Sequence, residues 1–184
     1  MKGQKTDIEG LWILEPSIFR DHRGIFFESF NQNKFEEITG LKPIFVQDNH
    51  SLSYYGVLRG MHFQHGAFAQ AKLVRVLSGK ILDVVVDIRP NSPTFGKHFS
   101  IELSAENKRQ FYIPKGFAHG FVTLTEYAEF AYKCDNFYSP KFEAGLHHND
   151  PALAIDWQIP HDRLVISAKD KTLPYLSQIN FSFE

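Results

Sequence analysis

The chain has 184 residues, and 20 lysines and arginines against 21 aspartates and glutamates leave a formal net charge of -1. This length predicts one domain that spans residues 1–184. A content of 43% hydrophobic and 22% charged residues excludes a disordered chain, and the balanced charge excludes a general attraction to nucleic acid or to an anionic membrane.

Short strands separated by turn residues dominate the predicted structure. The alternation of apolar and polar residues, interrupted by glycine, proline and asparagine, predicts strands at 11–14, 24–30, 44–49, 57–64, 72–77, 81–89, 99–103, 110–113, 120–124 and 128–136. The aromatic content of 15% also favours strands. We therefore predict an all-β, antiparallel barrel or jelly roll.

Helices are predicted to be few and short. Asn31 or Asn33 can cap a helix that ends at Gly40. A second short helix is predicted near residues 105–107, and the chain after Pro160 is predicted to be helical or irregular. Neither of the two short helices before residue 110 is long enough to connect parallel strands, which supports antiparallel pairing.

The strand at 81–89 has the clearest pattern. One of its faces carries Leu82, Val84, Val86 and Ile88, and the opposite face carries Asp83, Asp87 and Arg89. Because successive side chains of a strand point to opposite sides, this pattern predicts a half-buried strand.

Two polar side chains share strand faces with apolar residues. Lys72 aligns with Val74 and Val76, so this face either lines a wet cavity or lies on the outside of the barrel. Tyr132 aligns with Phe130 and either belongs to the core, with a hydrogen-bonded hydroxyl, or lines the same cavity. The pattern leaves both alternatives open.

Cys134 is the single cysteine of the chain. It excludes an intrachain disulfide and a cysteine zinc site, and it suits a reducing compartment. No segment has the pattern of a signal peptide, and no apolar run approaches the ~18 residues of a membrane span. We therefore expect a cytoplasmic protein, with Cys134 as a buried structural thiol and not a nucleophile.

Nine histidines prompt a search for a metal site. Residues 114–119 resemble the second motif of the cupin barrels, in which proline and glycine precede a histidine, here His119. A metal-binding cupin also has a His-x-His pair in its first motif, but Gln64 stands where the second histidine after His62 belongs. The ligand set is incomplete, so we expect no metal and expect these histidines to act as bases or hydrogen-bond donors.

Several longer motifs, in order, carry a resemblance to one enzyme family. They cover residues 57–64, 70–76, 79–89 and 113–121, and the similarity extends from residue 19 to residue 170. Together they resemble the dTDP-4-dehydrorhamnose 3,5-epimerase family. This resemblance implies a homodimeric cupin jelly roll, without metal or organic cofactor, that acts on dTDP-4-dehydro-6-deoxy-D-glucose in rhamnose synthesis.

The resemblance also implies roles for individual residues. It assigns His62 as the catalytic base, Asp170 as its supporting carboxylate and Tyr132 as the acid on the opposite face of the sugar. Residues near the sugar are then Lys72 and His119, diphosphate contacts are Arg23 and Arg59, and the ring that stacks on thymine is Tyr138. Further nucleotide-sugar contacts are Glu28, Gln47, Asn49, Glu143 and Lys169.

The sequence departs from the family pattern at two positions outside these motifs. His148 stands where an aromatic residue, usually tryptophan, is expected, and Gln158 stands where proline is usual. Enzymes that invert only C3 or only C5 of related sugars keep the same histidine and tyrosine, so they remain an alternative. A non-catalytic sugar-binding cupin is a further alternative, but a binding protein does not need both a base and an acid.

Overall fold

The computed structural model describes residues 1–179. Its helices are α1 (Gln32–Thr39) and the short 3-10 helices η1 (Gly66–Phe68), η2 (Pro140–Phe142), η3 (His161–Arg163), η4 (Asp170–Thr172) and η5 (Leu176–Gln178). Its strands are β1 (Lys2–Lys5), β2 (Trp12–Glu15), β3 (Phe19–Asp21), β4 (Gly24–Phe26), β5 (Gln47–Tyr54), β6 (Val57–Gln64), β7 (Lys72–Ser78), β8 (Lys80–Asp87), β9 (His98–Ser104), β10 (Gln110–Ile113), β11 (Phe117–Thr123), β12 (Tyr127–Cys134), β13 (Glu143–Gly145) and β14 (Val165–Ile166).

Two large sheets form the body of the molecule. The first sheet has the strand order β1-β2-β10-β7-β12-β5, and the second has the order β13-β6-β11-β8-β9. All of these neighbours pair antiparallel, and β14 adds a short parallel pairing to β6. The sheets pack face to face around a core that includes Val74 and Phe130 from the first sheet and Val85 and Phe121 from the second. The predicted antiparallel jelly roll is confirmed.

The second sheet is covered on its outer face as well. Leu82, Val84, Val86 and Ile88 pack there against a C-terminal segment that contributes Leu146, Leu153, Trp157 and Ile159. The prediction of a half-buried strand at 81–89 is therefore wrong, because Ile81 to Ile88 are all buried. Since the apolar face packs on the C-terminal segment, Asp83 and Asp87 point into the interior between the sheets.

The helix predicted before Gly40 is confirmed. Asn31 is its N-cap, with a side-chain oxygen that accepts a hydrogen bond from the Lys34 amide. Gly40 ends it in the left-handed conformation at φ 73°, which glycine adopts without steric cost. Phe35 of this helix is fully buried on the outer face of the first sheet, next to Leu73.

Several predicted boundaries are wrong. The strand expected at 24–30 ends at Phe26, and the strand expected at 44–49 begins only at Gln47. Residues 105–107 form a turn and not a helix, because the Asn107 side chain accepts from the Ser104 and Arg109 amides. None of the helices within residues 1–179 has the length and apolar character needed to cross a membrane.

Candidate active site

A cleft opens between the two sheets at one end of the sandwich. It consists of two adjoining cavities of about 580 Å³ and about 210 Å³. Both cavities are lined by Asn49, His62, Lys72 and Tyr132. Because these four residues come from β5, β6, β7 and β12, the cleft is bounded by both sheets.

His62 is held by the carboxylate of Asp170. The His62 Nε2 lies 2.8 Å from Asp170 Oδ1, and the Gly60 amide donates to Asp170 Oδ2 at 3.2 Å. Burial alone would raise the pKa of Asp170, but the hydrogen bonds from His62, Gly60 and Ser167 and the charge of His62 outweigh it and leave this pKa lowered. The His62 side chain keeps 31% exposure in the cleft, so it combines an anchored ring with access to a bound molecule.

A second histidine and carboxylate pair lies beside the first. His119 on β11 is the direct cross-strand neighbour of His62 on β6, and its Nε2 lies 2.9 Å from Asp83 Oδ2. Burial lowers the pKa of His119, although the negative charge and hydrogen bond of Asp83 oppose this. Sequence reasoning placed Asp83 only on the polar face of a strand. An acidic residue within an otherwise apolar strand was the signal that could have marked it.

Two glycines allow β6 and β11 to approach closely beside these histidines. A Cβ atom built on Gly60 would lie 2.5 Å from the Gly120 Cα, and one on Gly120 would lie 2.9 Å from the Arg59 carbonyl oxygen. Gly60 also has φ 134°, which favours glycine. Because neither position has a side chain, the two strands can lie this close together. The same part of β6 directs the Gly60 amide and the His62 ring toward Asp170.

Lys72 and Tyr132 lie on the wall opposite His62. Their strands are neighbours in the first sheet, and the Lys72 Nζ is 5.8 Å from the centroid of the Tyr132 ring. Burial lowers the pKa of Lys72 and raises the pKa of Tyr132 to about 12. Both side chains line the cleft, which decides the alternatives that the sequence left open. Tyr132 is therefore protonated at neutral pH and can donate its hydroxyl proton.

The prediction of a buried Cys134 is confirmed. This thiol is fully buried, and the Asn49 side-chain amide lies 3.7 Å from its sulfur. Burial raises the pKa of Cys134 to about 11, so the thiol is protonated at neutral pH and is a poor nucleophile.

The smaller cavity is bordered by an exposed aromatic ring. Tyr138 is 51% exposed, and its hydroxyl donates to Glu143 Oε2 at 2.8 Å. Lys169 donates to the same oxygen at 2.5 Å, and the Tyr138 amide donates to Gln47 Oε1. The hydrogen bond to Glu143 raises the pKa of the Tyr138 hydroxyl. These contacts hold an aromatic platform and a carboxylate at one end of the cleft.

The structure brings together all but two of the predicted site residues. Arg59 lines the larger cavity and donates to Ser53 Oγ at 2.9 Å. Arg23 and Glu28 line neither cavity. Arg23 lies in the exposed β3–β4 hairpin and pairs with Asp21, whereas Glu28 pairs with Lys34. Each of these two side chains is therefore paired with a residue close to it in the sequence.

His148 and Gln158, the two departures from the family pattern, differ in their surroundings. His148 is almost fully buried and stacks between His147 and His161, with ring centroids 4.6 Å and 5.9 Å away. Burial first, and then the neighbouring His147 and His161, lower the pKa of His148 to about 4. A neutral ring thus fills the place where an aromatic was expected. Gln158 has φ 58°, a conformation that the proline ring cannot adopt.

The histidines of the cleft do not form a metal centre. Across residues 1–179, no group of three or more histidine, cysteine, aspartate and glutamate side chains is arranged to hold a metal ion. Gln64, which replaces the second histidine of the metal-binding motif, uses its amide to bind backbone groups.

Comparison with known proteins identifies similar chains over nearly the whole length. The family model described as dTDP-4-dehydrorhamnose 3,5-epimerase matches residues 5–178. The dTDP-4-dehydrorhamnose 3,5-epimerase of Salmonella typhimurium is 57% identical over 95% of this chain and 94% of its own. A crystal structure of the enzyme with the same name from Elizabethkingia anophelis has a TM-score of 0.95, with 55% identity over 98% of this chain and 99% of that one.

A solved complex also matches. The crystal structure of dTDP-6-deoxy-D-glucose-3,5-epimerase from Legionella pneumophila, in complex with dTDP-4-keto-L-rhamnose, has a TM-score of 0.94 and 48% identity. The match covers 100% of this chain and 98% of that chain.

Proposed function

Since this chain belongs to the dTDP-4-dehydrorhamnose 3,5-epimerase family, we propose that His62 and Tyr132 carry out the proton transfers of that family's reaction. The protein is an isomerase that converts dTDP-4-dehydro-6-deoxy-D-glucose to dTDP-4-dehydro-L-rhamnose by inverting C3 and C5. The observation that carries the assignment of residues is that His62 and Tyr132 come from opposite sheets and line one cleft.

The position of the ketone explains why a base and an acid are sufficient. C3 and C5 both flank the C4 carbonyl, so each of their protons is acidified and its removal gives an enolate. Return of a proton to the opposite face inverts the carbon. A base on one wall of the cleft and a proton donor on the other can therefore serve both carbons in turn.

His62 is the proposed base. Asp170 engages the Nε2 atom of the ring, so Nδ1 is the nitrogen that accepts the proton from carbon. When the ring becomes positively charged, the adjacent carboxylate stabilises it. Asp170 itself stays ionised, because hydrogen bonds from His62, Gly60 and Ser167 lower its pKa.

Tyr132 is the proposed donor, and Lys72 and His119 complete the sugar site. The raised pKa of Tyr132 keeps the hydroxyl protonated until the enolate forms. In this proposal the Lys72 ammonium group stabilises negative charge on O4, an effect that is typically worth a few kcal/mol. His119, whose pKa is lowered by burial, serves as a neutral hydrogen-bond partner of the sugar.

The remaining residues bind the nucleotide. A guanidinium group forms paired hydrogen bonds with phosphate oxygens, which suits Arg59 to the diphosphate. Tyr138 offers a flat ring for the thymine base. Polar side chains that line the cleft and can hydrogen-bond the nucleotide sugar are Gln47, Asn49, Glu143 and Lys169.

We propose a homodimer in which Arg23, in the β3–β4 hairpin, and Glu28, just after it, reach the cleft of the partner protomer. The β3–β4 hairpin carries Phe19 and Phe26, and Phe26 is 71% exposed. Large apolar side chains together on a surface favour contact with another protein surface. In the proposed dimer, the hairpin of each protomer reaches the cleft of its partner, where Arg23 meets the diphosphate.

Complementation between two inactive variants tests this arrangement. Co-expression of His62→Asn with Arg23→Ala should produce mixed dimers in which one of the two clefts has both intact residues. The mixture should then recover up to about a quarter of the wild-type activity, because about half of the dimers are mixed. No recovery in mixed dimers isolated with a different affinity tag on each variant would show that Arg23 acts within its own protomer.

The base and acid roles can be separated by hydrogen exchange in heavy water. His62 can return a deuteron to the original face of the enolate, whereas inversion needs a donor on the other face, and phenylalanine lacks a hydroxyl. The Tyr132→Phe variant should therefore incorporate deuterium at C3 and C5 while forming little inverted product, and His62→Ala should do neither. NMR of the sugar follows both carbons separately. Equal loss of exchange and inversion in Tyr132→Phe would refute the donor role.

A further inference from the structure

Gln64 is a buried side chain that binds three backbone groups. Its Nε2 donates to the Phe68 carbonyl at 2.8 Å and to the Phe137 carbonyl at 3.1 Å. Its Oε1 accepts from the Ser139 amide at 2.6 Å. Both N–H groups and the carbonyl oxygen of the side chain thus have hydrogen-bond partners. An apolar side chain of similar size could fill the same space but could not make these three bonds.

Two of these bonds enclose Tyr138. The carbonyl of Phe137 precedes Tyr138 and the amide of Ser139 follows it. Gln64 therefore hydrogen-bonds the backbone immediately before and immediately after Tyr138. Residues 137–139 belong to no helix or strand, and the Tyr138 amide is bound separately by Gln47. Since Gln64 lies on β6 and Gln47 on β5, the segment is held from both sheets.

The same segment is tied to the chain between β6 and β7. The Asn136 side chain donates to the Ala67 carbonyl at 2.9 Å, and the Gln70 side chain donates to the Asn136 carbonyl at 2.8 Å. Gln64 is the most buried of these amides and the one that contacts both neighbours of Tyr138. Loss of its side chain would leave two carbonyls and one amide without this partner in a partly buried setting.

We propose that Gln64 is a positioning residue for nucleotide binding, which acts by fixing the orientation of Tyr138. This inference rests on the proposed function, in which the Tyr138 ring stacks on the nucleobase. An exposed ring on an irregular segment loses conformational freedom when a ligand binds, and a segment that is already fixed avoids much of that cost. The motif His62-Phe63-Gln64 then serves both ends of the substrate, with His62 at the sugar and Gln64 behind the nucleobase.

Binding of dTDP to single and double variants tests the proposal. Calorimetry should show that Tyr138→Ala weakens dTDP binding by about 10- to 100-fold, as expected for loss of base stacking. Gln64→Leu should weaken it by about tenfold and raise KM similarly, while kcat changes by less than about threefold. In the Tyr138→Ala background, Gln64→Leu should have little further effect, because it acts through the ring that has been removed.

Asn107 offers a matched control. Its side-chain amide also binds three backbone groups, those of Glu102, Ser104 and Arg109, but in a turn that lines neither cavity. Asn107→Leu should lower the melting temperature without weakening dTDP binding. Gln64→Glu provides a second variant, since it keeps the acceptor for Ser139 but places a buried carboxylate oxygen against the carbonyl oxygens of Phe68 and Phe137. It should therefore weaken dTDP binding at least as much as Gln64→Leu does.

The outcomes distinguish the inference from the function on which it rests. If Tyr138→Ala weakens dTDP binding but both Gln64 variants bind like the wild type, the positioning role is wrong and the platform role of Tyr138 stands. If Gln64→Leu weakens binding equally with and without Tyr138, Gln64 does not act through the ring. If Tyr138→Ala itself binds dTDP normally, both the platform and the positioning role are refuted.

Discussion

The two histidine and carboxylate pairs of the cleft have the same chemical groups but different surroundings. His62 keeps 31% of its side-chain surface exposed, whereas His119 keeps 6%. Both oxygens of Asp170 have hydrogen-bond partners, but within residues 1–179 the Oδ1 atom of Asp83 has none. The pairs are direct neighbours on β6 and β11, so this contrast arises over a very short distance.

The contrast shows what a catalytic base requires beyond a nearby carboxylate. A ring that accepts a proton must reach the substrate, and its surroundings must tolerate the resulting positive charge. His62 meets both conditions, with an open ring and a carboxylate that stays ionised. Burial of His119 disfavours its charged form, so this histidine is suited to a neutral hydrogen bond and to the shape of the cleft.

The largest expected effect separates the two histidines. His62→Asn should lower kcat by about 1,000-fold, since general base catalysis typically contributes 100- to 10,000-fold. His119→Asn should cost only about tenfold, because a hydrogen bond to the sugar is lost and the proton acceptor remains. Product formation followed by NMR measures both variants. Similar losses of kcat in the two variants would mean that the more exposed histidine is not the only proton acceptor.

A smaller effect is expected from the two carboxylates. Asp170→Asn removes the negative charge that stabilises the positively charged His62, so kcat should fall by about 100-fold. Asp83→Asn should reduce kcat by less than about tenfold, because His119 gains no charge during the reaction. Thermal melting of each variant provides the control for folding. A larger kcat loss in Asp83→Asn than in Asp170→Asn would indicate that His119, and not His62, is the base.

A third buried histidine extends the comparison to stability. The pKa of His148 is about 4 in the folded protein and about 6.5 for a free side chain. Protons therefore bind the unfolded chain more tightly, and the free energy of unfolding should fall by roughly 2–3 kcal/mol as the pH drops from 7 to 4. The groups that act on this ring are His147, His161, Asp170 and Lys171.

The variant His148→Phe isolates that contribution, because phenylalanine keeps a stacked ring and cannot titrate. Urea unfolding at pH 7 and near pH 4 should show a smaller acid-induced loss for His148→Phe than for the wild type. An identical loss in the two proteins would assign the acid sensitivity to other groups.

Local signals predicted much of this fold. The β6 and β10 boundaries and the Gly40 end of α1 were correct, and Asn31 is one of the two caps that the sequence offered. Each of these features depends on residues close together in the sequence. The faces of β8 were misread, because the segment that buries its outer face begins more than fifty residues later. Burial of that face is a tertiary contact that alternation within one strand cannot reveal.

The site was predictable to a similar extent. The motifs identified the residues that line the cleft, but Asp83 was missed because its partner His119 is 36 residues away. Arg23 and Glu28 were expected at the cleft, but within residues 1–179 they lie outside it. Sequence motifs name residues that act together but do not state which copy of the chain supplies them.

The contact between His62 and Asp170 can form only late in the synthesis of the chain. The two residues are separated by 108 positions, and Asp170 follows every strand of the two large sheets. A nascent chain that has emerged only as far as β12 therefore contains His62, Lys72 and Tyr132 but not the carboxylate that holds His62. We therefore expect His62 to acquire its carboxylate partner only when the C-terminal segment docks on the completed sandwich.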